Sequence, residues 1–170
     1  LDDRDRPHVA WVSYDGQRDD VYIGRWDEGA WSARKRLSGG AGDCWRPVAM
    51  RDGHGRLWVI WTQNDAGNWD LWGRFLADDR WSDPRRLTDG PEPDTCHQVA
   101  VDSQGQLWIA WQSVAAGAYE IYLAQVTPQG LQQRRNVSRN SASDWEPAIT
   151  ADGRGRVYVA WDSYRNENYD

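Results

Sequence analysis

A repeat of 50 residues organises the sequence. Short apolar segments end in Trp11, Trp61, Trp111 and Trp161, at a constant spacing. Each segment follows a turn-forming stretch that opens with aspartate, as in DGHGRLWVIW at 52–61. Self-similarity at such a period is typical of chains built from stacked units, in which each unit buries its apolar faces against its neighbours.

Four β-type segments recur within each unit. Turn-forming residues such as Asp-Ser-Gln-Gly separate them. In the third unit the predicted strands are 97–101, 106–112, 119–126 and 131–137. Four antiparallel strands in a unit of this length predict a β-propeller blade, whereas a solenoid favours shorter repeats or helices.

The second segment of each unit is apolar at consecutive positions, as in LWIAW at 107–111. A strand with one wet face would alternate apolar and polar residues, so this pattern predicts a strand sandwiched between two neighbouring blades. We expect one face of these strands to pack between blades through Trp11, Trp61, Trp111 and Trp161. The opposite face is expected to pack through Trp58, Trp108 and Tyr158.

The fold class predicted is therefore all-β, a propeller segment of about 3.5 four-stranded blades. The predicted bounds within this single segment, 1–170, are a partial blade at 1–37, blades at 46–87 and 96–137, and a partial blade at 146–170. An open arc exposes apolar faces and strand edges. We therefore expect either self-association or further blades supplied by a longer chain.

Charge and hydropathy exclude some partners. The net charge is −6, and the basic residues are scattered among acidic ones, so we expect no nucleic-acid partner. No apolar run reaches the length of about 18 residues that predicts a membrane span, and no secretory signal opens the chain.

The last 28 residues, SDWEPAITADGRGRVYVAWDSYRNENYD at 143–170, resemble the TolB-type repeat, a bacterial WD-repeat-like propeller blade. RRLTDG at 85–90 resembles the closing strand of that repeat. The chain departs from the family where Ser-Pro-Asp-Gly is usual, because Ala-Asp-Gly stands at 151–153. The resemblance implies a propeller in an extracytoplasmic setting, periplasmic or secreted, with a protein or peptide partner.

Ligands of propellers bind at the ends of the central channel, where outer strands connect to the next inner strands. Those connections are 38–47, 88–98 and 138–147. Their candidate ligand-binding residues are Asp43, Trp45, Arg46, Asp94, His97, Asp144, Trp145 and Glu146. Carboxylates, arginine and exposed aromatic rings suit sugars or peptides, but aspartate also caps turns and a repeated tryptophan also packs.

Four acids open the third strands, namely Asp20, Asp70, Glu120 and Asp170. They form either a ring of carboxylates or, as we favour, local hydrogen bonds. No spacing indicates a catalytic constellation, a metal site or a cofactor. Cys44 and Cys96 lie in successive connections, where a disulfide is conceivable and two free thiols are favoured.

The favoured function is a non-enzymatic module that binds a protein or peptide, or serves as a scaffold. The alternative is a carbohydrate-binding, lectin-like propeller or part of a glycoside hydrolase. A glycosidase needs two carboxylates about 5–10 Å apart, which the acids of the connections could supply.

Overall fold

The computed structural model describes residues 1, 6–139, 142–165 and 168–169. Those residues form antiparallel sheets, one for each repeat, and contain no helix. The all-β propeller architecture expected from the repeat is thereby confirmed. Two of the repeated acidic landmarks, Asp2 and Asp170, lie outside the described residues.

The first sheet contains β1 (His8–Tyr14), β2 (Asp19–Asp27), β3 (Ala30–Trp31) and β4 (Lys35–Arg36). The second strand in chain order, β2, pairs with β1 on one side and with both β3 and β4 on the other. The outer position is therefore occupied by two short strands.

The second sheet repeats this order with β5 (Cys44–Arg51), β6 (Leu57–Asp65), β7 (Asn68–Ala77), β8 (Arg80–Trp81) and β9 (Arg85–Arg86). Strand β7 pairs with both short outer strands, as β2 does. This sheet has the complete inner strand that the described part of the first sheet lacks.

The third sheet contains β10 (Asp94–Val101), β11 (Leu107–Ala115), β12 (Ala118–Thr127) and β13 (Gly130–Asn136). Its outer strand is continuous. In the first two sheets a serine interrupts the outer strand: the Ser32 and Ser82 hydroxyls accept hydrogen bonds from the backbone N–H of Arg25 and Phe75. Leu131 pairs with Val126 as Trp31 pairs with Trp26 and Trp81 with Leu76, and a register shift between Leu123 and Gln125 interrupts the pairing of β13 with β12.

The fourth sheet contains β14 (Ser143–Ala151), β15 (Val157–Arg165) and β16 (Asn168–Tyr169). Inner strands begin earlier than predicted: the third starts at Asp94, where we expected 97. The reason is a β-bulge that interrupts the pairing of β10 with β11 between Thr95 and Gln98 without ending the strand.

The middle sheets bury both faces of their second strands. Every residue of β6 from 57 to 63, and of β11 from 107 to 113, is buried. Odd-numbered side chains of each strand pack toward the preceding sheet and even-numbered ones toward the following sheet. Trp61 and Trp111 are 0% exposed, as the repeat predicts.

The end sheets differ from this prediction. Trp11 and Trp161 are only half-buried. Tyr158, expected to pack like Trp58 and Trp108, is 47% exposed. The prediction for Tyr158 is wrong because no sheet follows β15 on that side among the described residues, whereas Trp108 is covered by the fourth sheet.

From the second sheet to the fourth, the indole N–H of each tryptophan on a second strand finds an acceptor within its own sheet, whereas Trp72 Nε1 on the third strand β7 is buried without one among the described residues. Trp111 Nε1 donates to Asp94 Oδ1 at 2.7 Å, and Trp161 Nε1 donates to Asp144 Oδ1 at 3.1 Å. In both cases the acceptor lies on the inner strand, 17 residues before the tryptophan. These bonds fasten the inner strand to the second strand and satisfy a donor that would be costly to bury alone.

In the second sheet a different residue accepts the indole N–H of the buried tryptophan. Cys44 stands where the next two sheets have aspartate, and its register partner is Gln63, where the others have serine. Trp61 Nε1 donates to Gln63 Oε1 at 3.0 Å. The acceptor has moved from the inner strand to the second strand, and the tryptophan remains satisfied.

The acids of the third strands form local hydrogen bonds, as we favoured, although to the outer strand as well as to the preceding loop. Asp20 accepts from Ser38 and pairs with Arg36 at 2.8 Å. Asp70 pairs with Arg86 at 2.6 Å, and Glu120 accepts from Ser138. These acids therefore clamp the third strand to the end of the outer strand.

One end of the arc is tightly packed between the second and third sheets. The turn after β5 meets the turn after β10, and Gly53 N–H donates to Gly105 O at 2.9 Å. A Cβ on Gly53 would lie 2.2 Å from the Gly105 Cα, so only glycine fits there.

Replacing Trp111 by alanine should lower the free energy of unfolding by about 3–5 kcal/mol, because the change leaves a cavity between two sheets and an unpaired Asp94. Trp161→Ala is the matched control. It deletes the same side chain from a half-buried site and should cost clearly less. Urea unfolding followed by far-UV circular dichroism measures both. Equal losses, or a Trp111→Ala loss below about 1 kcal/mol, would contradict the sandwiched arrangement.

Candidate functional site

The end of the arc opposite the Gly53 turn carries the candidate site. Here the hairpins between second and third strands meet the connections from outer to inner strands. Asp19 N–H donates to Asp43 Oδ1 at 3.0 Å, and Tyr119 N–H contacts Ser143 Oγ at 3.4 Å. We call this surface the loop face.

Three side chains at equivalent repeat positions converge on the loop face: Arg46, Cys96 and Glu146, the axial cluster. Arg46 donates twice to Glu146, at 3.1 and 3.2 Å, and the Cys96 thiol donates to Glu146 Oε1 at 3.3 Å. Because the three residues come from successive inner strands, the arginine of the second sheet reaches across the third sheet to the fourth.

A β-bulge presents each member of the axial cluster. The φ angles of Arg46, Cys96 and Glu146 are 52°, 52° and 46°. They lie in the left-handed region, which residues other than glycine seldom adopt. The bulge turns these residues out of the regular pairing. Bulges that re-aim a side chain in this way occur frequently beside functional sites.

The charges of the cluster support one another. Arg46 holds the pKa of the Glu146 carboxyl below its usual range through its hydrogen bonds, and Glu146 in turn raises the pKa of Arg46. Burial, followed by the neighbouring carboxylate, raises the pKa of Cys96. At neutral pH the cluster is an ion pair with a protonated thiol. Both charged side chains remain half-exposed.

A second-strand side chain fixes the backbone of the cluster. Glu146 N–H donates to Gln112 Oε1 at 3.2 Å. Gln112 lies on β11, on the face that packs toward the fourth sheet. The bulge of β14 is therefore attached to the neighbouring sheet, and the carboxylate is held in place before any ligand arrives.

Aromatic rings flank the axial cluster. Trp45 stacks on Trp69 with ring centroids 4.4 Å apart. The rings of Tyr119 and Trp145 are tilted against each other, with centroids 6.2 Å apart. Trp45 is 51% exposed, although it is one of the largest apolar side chains available. The loop face thus combines flat apolar surface with a charged pair, and Asp43 lies exposed at its edge.

Three of the residues predicted to bind ligand do not reach this surface. Asp94 and Asp144 are buried as the indole acceptors of Trp111 and Trp161. His97 is buried between the second and third sheets. These predictions are wrong because a carboxylate or imidazole in a connecting segment also serves to satisfy buried polar groups, and the repeat alone does not separate the two roles.

The burial of His97 has an electrostatic consequence. Its Nε2 contacts Ile60 O at 3.2 Å and its Nδ1 contacts Thr62 Oγ1 at 3.3 Å. Because a carbonyl only accepts, Nε2 carries the proton and Nδ1 accepts from the threonine hydroxyl. Loss of water around the ring lowers the pKa of His97 to about 4, so the ring is neutral in the folded protein at neutral pH.

Both cysteines are free, as we favoured. Cys44 is buried beside Gln63, and burial raises the pKa of its thiol to about 11. A thiol with this pKa is a poor nucleophile. In the described ranges no group of three or more His, Cys, Asp or Glu side chains is arranged to hold a metal ion. Those ranges also contain no helix that is long and apolar enough to cross a bilayer.

Sequence reasoning missed part of the site. Trp69 and Tyr119 lie in the hairpins of the loop face, outside the connections where we looked for ligand-binding residues. The sequence indicates Cys96 only as a disulfide partner or, as we favour, a free thiol. Its equivalence to Arg46 and Glu146 in the 50-residue register was the available signal for the axial cluster.

No protein-family model matches the sequence, and no curated protein matches it significantly. Solved structures do resemble it. An endo-arabinase from Bacteroides thetaiotaomicron aligns with a TM-score of 0.62 at 16% identity, over 92% of this chain and 66% of that one. A thermostable family-43 glycoside hydrolase aligns with a TM-score of 0.58 at 12% identity, over 94% of this chain and 62% of that one. TolB from Acinetobacter baumannii aligns with a TM-score of 0.59 at 15% identity, over 96% of this chain and 40% of that one.

These similarities support the propeller fold and, at such identities, the fold alone. The chain spans less than two thirds of each of the three proteins. A TolB structure stands among them beside two glycoside hydrolases, so membership of the TolB-type repeat family stays a prediction.

The stability of the protein should fall as the pH is lowered from about 6.5 toward 4. In that window the unfolded chain protonates His97 while the folded chain does not, since the folded pKa is depressed to about 4. The expected loss is about 3 kcal/mol. His97→Gln should flatten this part of the pH profile, whereas the exposed control His54→Gln should leave it unchanged. An unaltered slope in His97→Gln would show that other groups cause the loss. Chemical denaturation at each pH measures it.

Proposed function

We propose that this chain is a recognition module that binds a peptide or protein segment on its loop face without transforming it. The observation that carries the proposal is the axial cluster: an exposed Arg46–Glu146 pair held by two β-bulges next to the half-exposed Trp45. An extracytoplasmic setting, implied by the sequence resemblance, belongs to the same proposal.

The residue types of the loop face support binding of a polypeptide. Tryptophan, tyrosine and arginine contribute most to protein interfaces, because each combines a large rigid surface with a polar group. Trp45 and Tyr119 offer such surface on either side of the cluster. The Arg46 guanidinium and the Glu146 carboxylate can pair with an acidic and a basic ligand group, respectively, since both are half-exposed.

Binding without hydrolysis agrees with how the acids are used. Asp94 and Asp144 are buried acceptors, and Glu146 is paired with arginine, which lowers its pKa. A glycosidase acid instead needs a raised pKa, so that it is protonated when it meets the leaving group.

A carbohydrate ligand is the second candidate. The stacked rings of Trp45 and Trp69 form a platform whose exposed face is flat and apolar, and such a surface suits the apolar face of a sugar ring as well as it suits a peptide. Two of the structurally similar proteins are an endo-arabinase and a family-43 glycoside hydrolase. Arabinan is therefore the first polysaccharide to test.

The test compares two probes with the same variants. On an array of immobilised peptides of varied charge and aromatic content, Trp45→Ala should weaken binding about tenfold or more, as loss of an interface anchor does. Arg46→Ala should weaken binding of acidic peptides most. The control His54→Ala, which lies at the opposite end of the arc, should bind as the wild type.

The alternatives give different results. Retardation of the wild type in gels that contain arabinan, lost in Trp45→Ala, together with no peptide binding, would favour the carbohydrate ligand. Release of reducing sugar from arabinan that disappears in Glu146→Gln would contradict a non-enzymatic role. Peptide binding that Trp45→Ala leaves intact would place the site elsewhere.

A further inference from the structure

The first sheet exposes an apolar face on the side away from the second sheet. This leading face consists of Val9, Trp11, Tyr22, Trp26 and Trp31. Val9 is 45% exposed and Trp31 is 53% exposed. Trp11 stacks on Tyr22, and Trp26 contacts Trp31 edge to face. A continuous set of exposed aromatic rings on a sheet indicates a surface that is covered in the functional state.

The repeat shows what covers such a face. In the third sheet the equivalent positions hold Ile109, Trp111, Tyr122, Val126 and Leu131. All five belong to, or pack against, the core between the second and third sheets. Even a cation–π contact is repeated, because Arg34 lies over Tyr22 as Arg134 lies over Tyr122. The leading face therefore has the composition of a surface built to receive a preceding blade.

The opposite end of the arc exposes the complementary surface. This trailing face consists of Ala148, Thr150, Tyr158 and Ala160, all exposed. They are paired across β14 and β15, Ala148 with Ala160 and Thr150 with Tyr158, so they share one side of the sheet. Their equivalents in the second sheet are Val48, Met50, Trp58 and Ile60, which pack against the third sheet.

We propose that a second copy of this chain binds head to tail, its leading face on the trailing face of the first copy. In every contact between successive sheets of the described chain, even-numbered side chains of one second strand face odd-numbered side chains of the next second strand. The described residues leave the leading face and the trailing face uncovered, and these two correspond to the two sides of a contact between successive sheets. Large rings on the leading face meet the small side chains of Ala148, Thr150 and Ala160 on the trailing face, beside the single ring of Tyr158.

An interface of this kind is heterologous, since each copy contributes a different surface. Two copies that meet at both ends close into a ring, and further copies otherwise add in a row. The loop face is not part of either surface. The assembly is therefore independent of the proposed ligand binding, and the two proposals fail separately.

The experiment uses two variants that each block one face. Val9→Arg places a charge on the leading face and Ala160→Arg places one on the trailing face, both at exposed positions that should not affect folding. Light scattering coupled to size exclusion over a dilution series should give at least two chains for the wild type and one chain for each variant. An equimolar mixture of the variants should give two chains, because each supplies the intact face that the other lacks. Gln17→Arg, in an exposed loop, should assemble as the wild type does.

Other outcomes overturn the proposal. If the wild type stays a single chain at every concentration, a second copy does not cover either face. A dimer of either variant alone would indicate an isologous contact between like faces. A mixture that stays monomeric would show that the two faces do not bind each other. Circular dichroism establishes that each variant is folded, and Ala160→Asp is a second block for the trailing face.

Discussion

The structure depends on burying a tryptophan on the second strand of a blade while satisfying its indole N–H. The ring removes a large apolar surface from water, but its one donor is costly to bury unpaired. Asp94 and Asp144 accept that donor from the inner strand and so fix the inner strand against the second strand. The bulge follows two residues later, at Cys96 and Glu146. The second sheet has the same bulge at Arg46, although Gln63 of the second strand accepts the Trp61 N–H there.

Distinct surfaces lie at different places on the arc. The packed turns at Gly53 and Gly105 occupy one end of the arc, and the loop face with its Arg46–Glu146 pair occupies the other. The residues of the leading and trailing faces stand at repeat positions that are packed between sheets elsewhere in the same chain. Because a blade is stabilised by its neighbours on both sides, the end sheets are the least buried. The exposure of Val9 and of Tyr158, at positions that are buried in the middle sheets, shows this difference.

The sequence predicts the architecture well because the 50-residue register is exact at the tryptophans and because consecutive apolar positions indicate a sandwiched strand. It does not separate an exposed acid from an indole acceptor: Asp43 and Asp94 both lie in connections, and only the tertiary contact of Trp111 shows that Asp94 is buried. It also does not predict the bulges, since Arg46, Cys96 and Glu146 are not residue types that favour positive φ. Tyr158 follows the pattern of Trp108 but lacks the neighbour that would bury it.

In the second sheet Gln63, not an inner-strand aspartate, accepts the indole N–H of the buried tryptophan. This difference allows the most direct test of how the indole is satisfied. Cys44→Asp alone places a carboxylate beside Gln63 Oε1, where both compete for the single Trp61 N–H, and Gln63→Ser alone removes the acceptor of that N–H. Each change should lower the free energy of unfolding, and Cys44→Asp combined with Gln63→Ser should recover most of the loss, because the pair then matches Asp94 and Ser113. A double-mutant cycle by chemical denaturation should give a coupling of about 1 kcal/mol or more. Additive losses would contradict the claim that residues 44 and 63 act together to supply the single acceptor of the Trp61 indole.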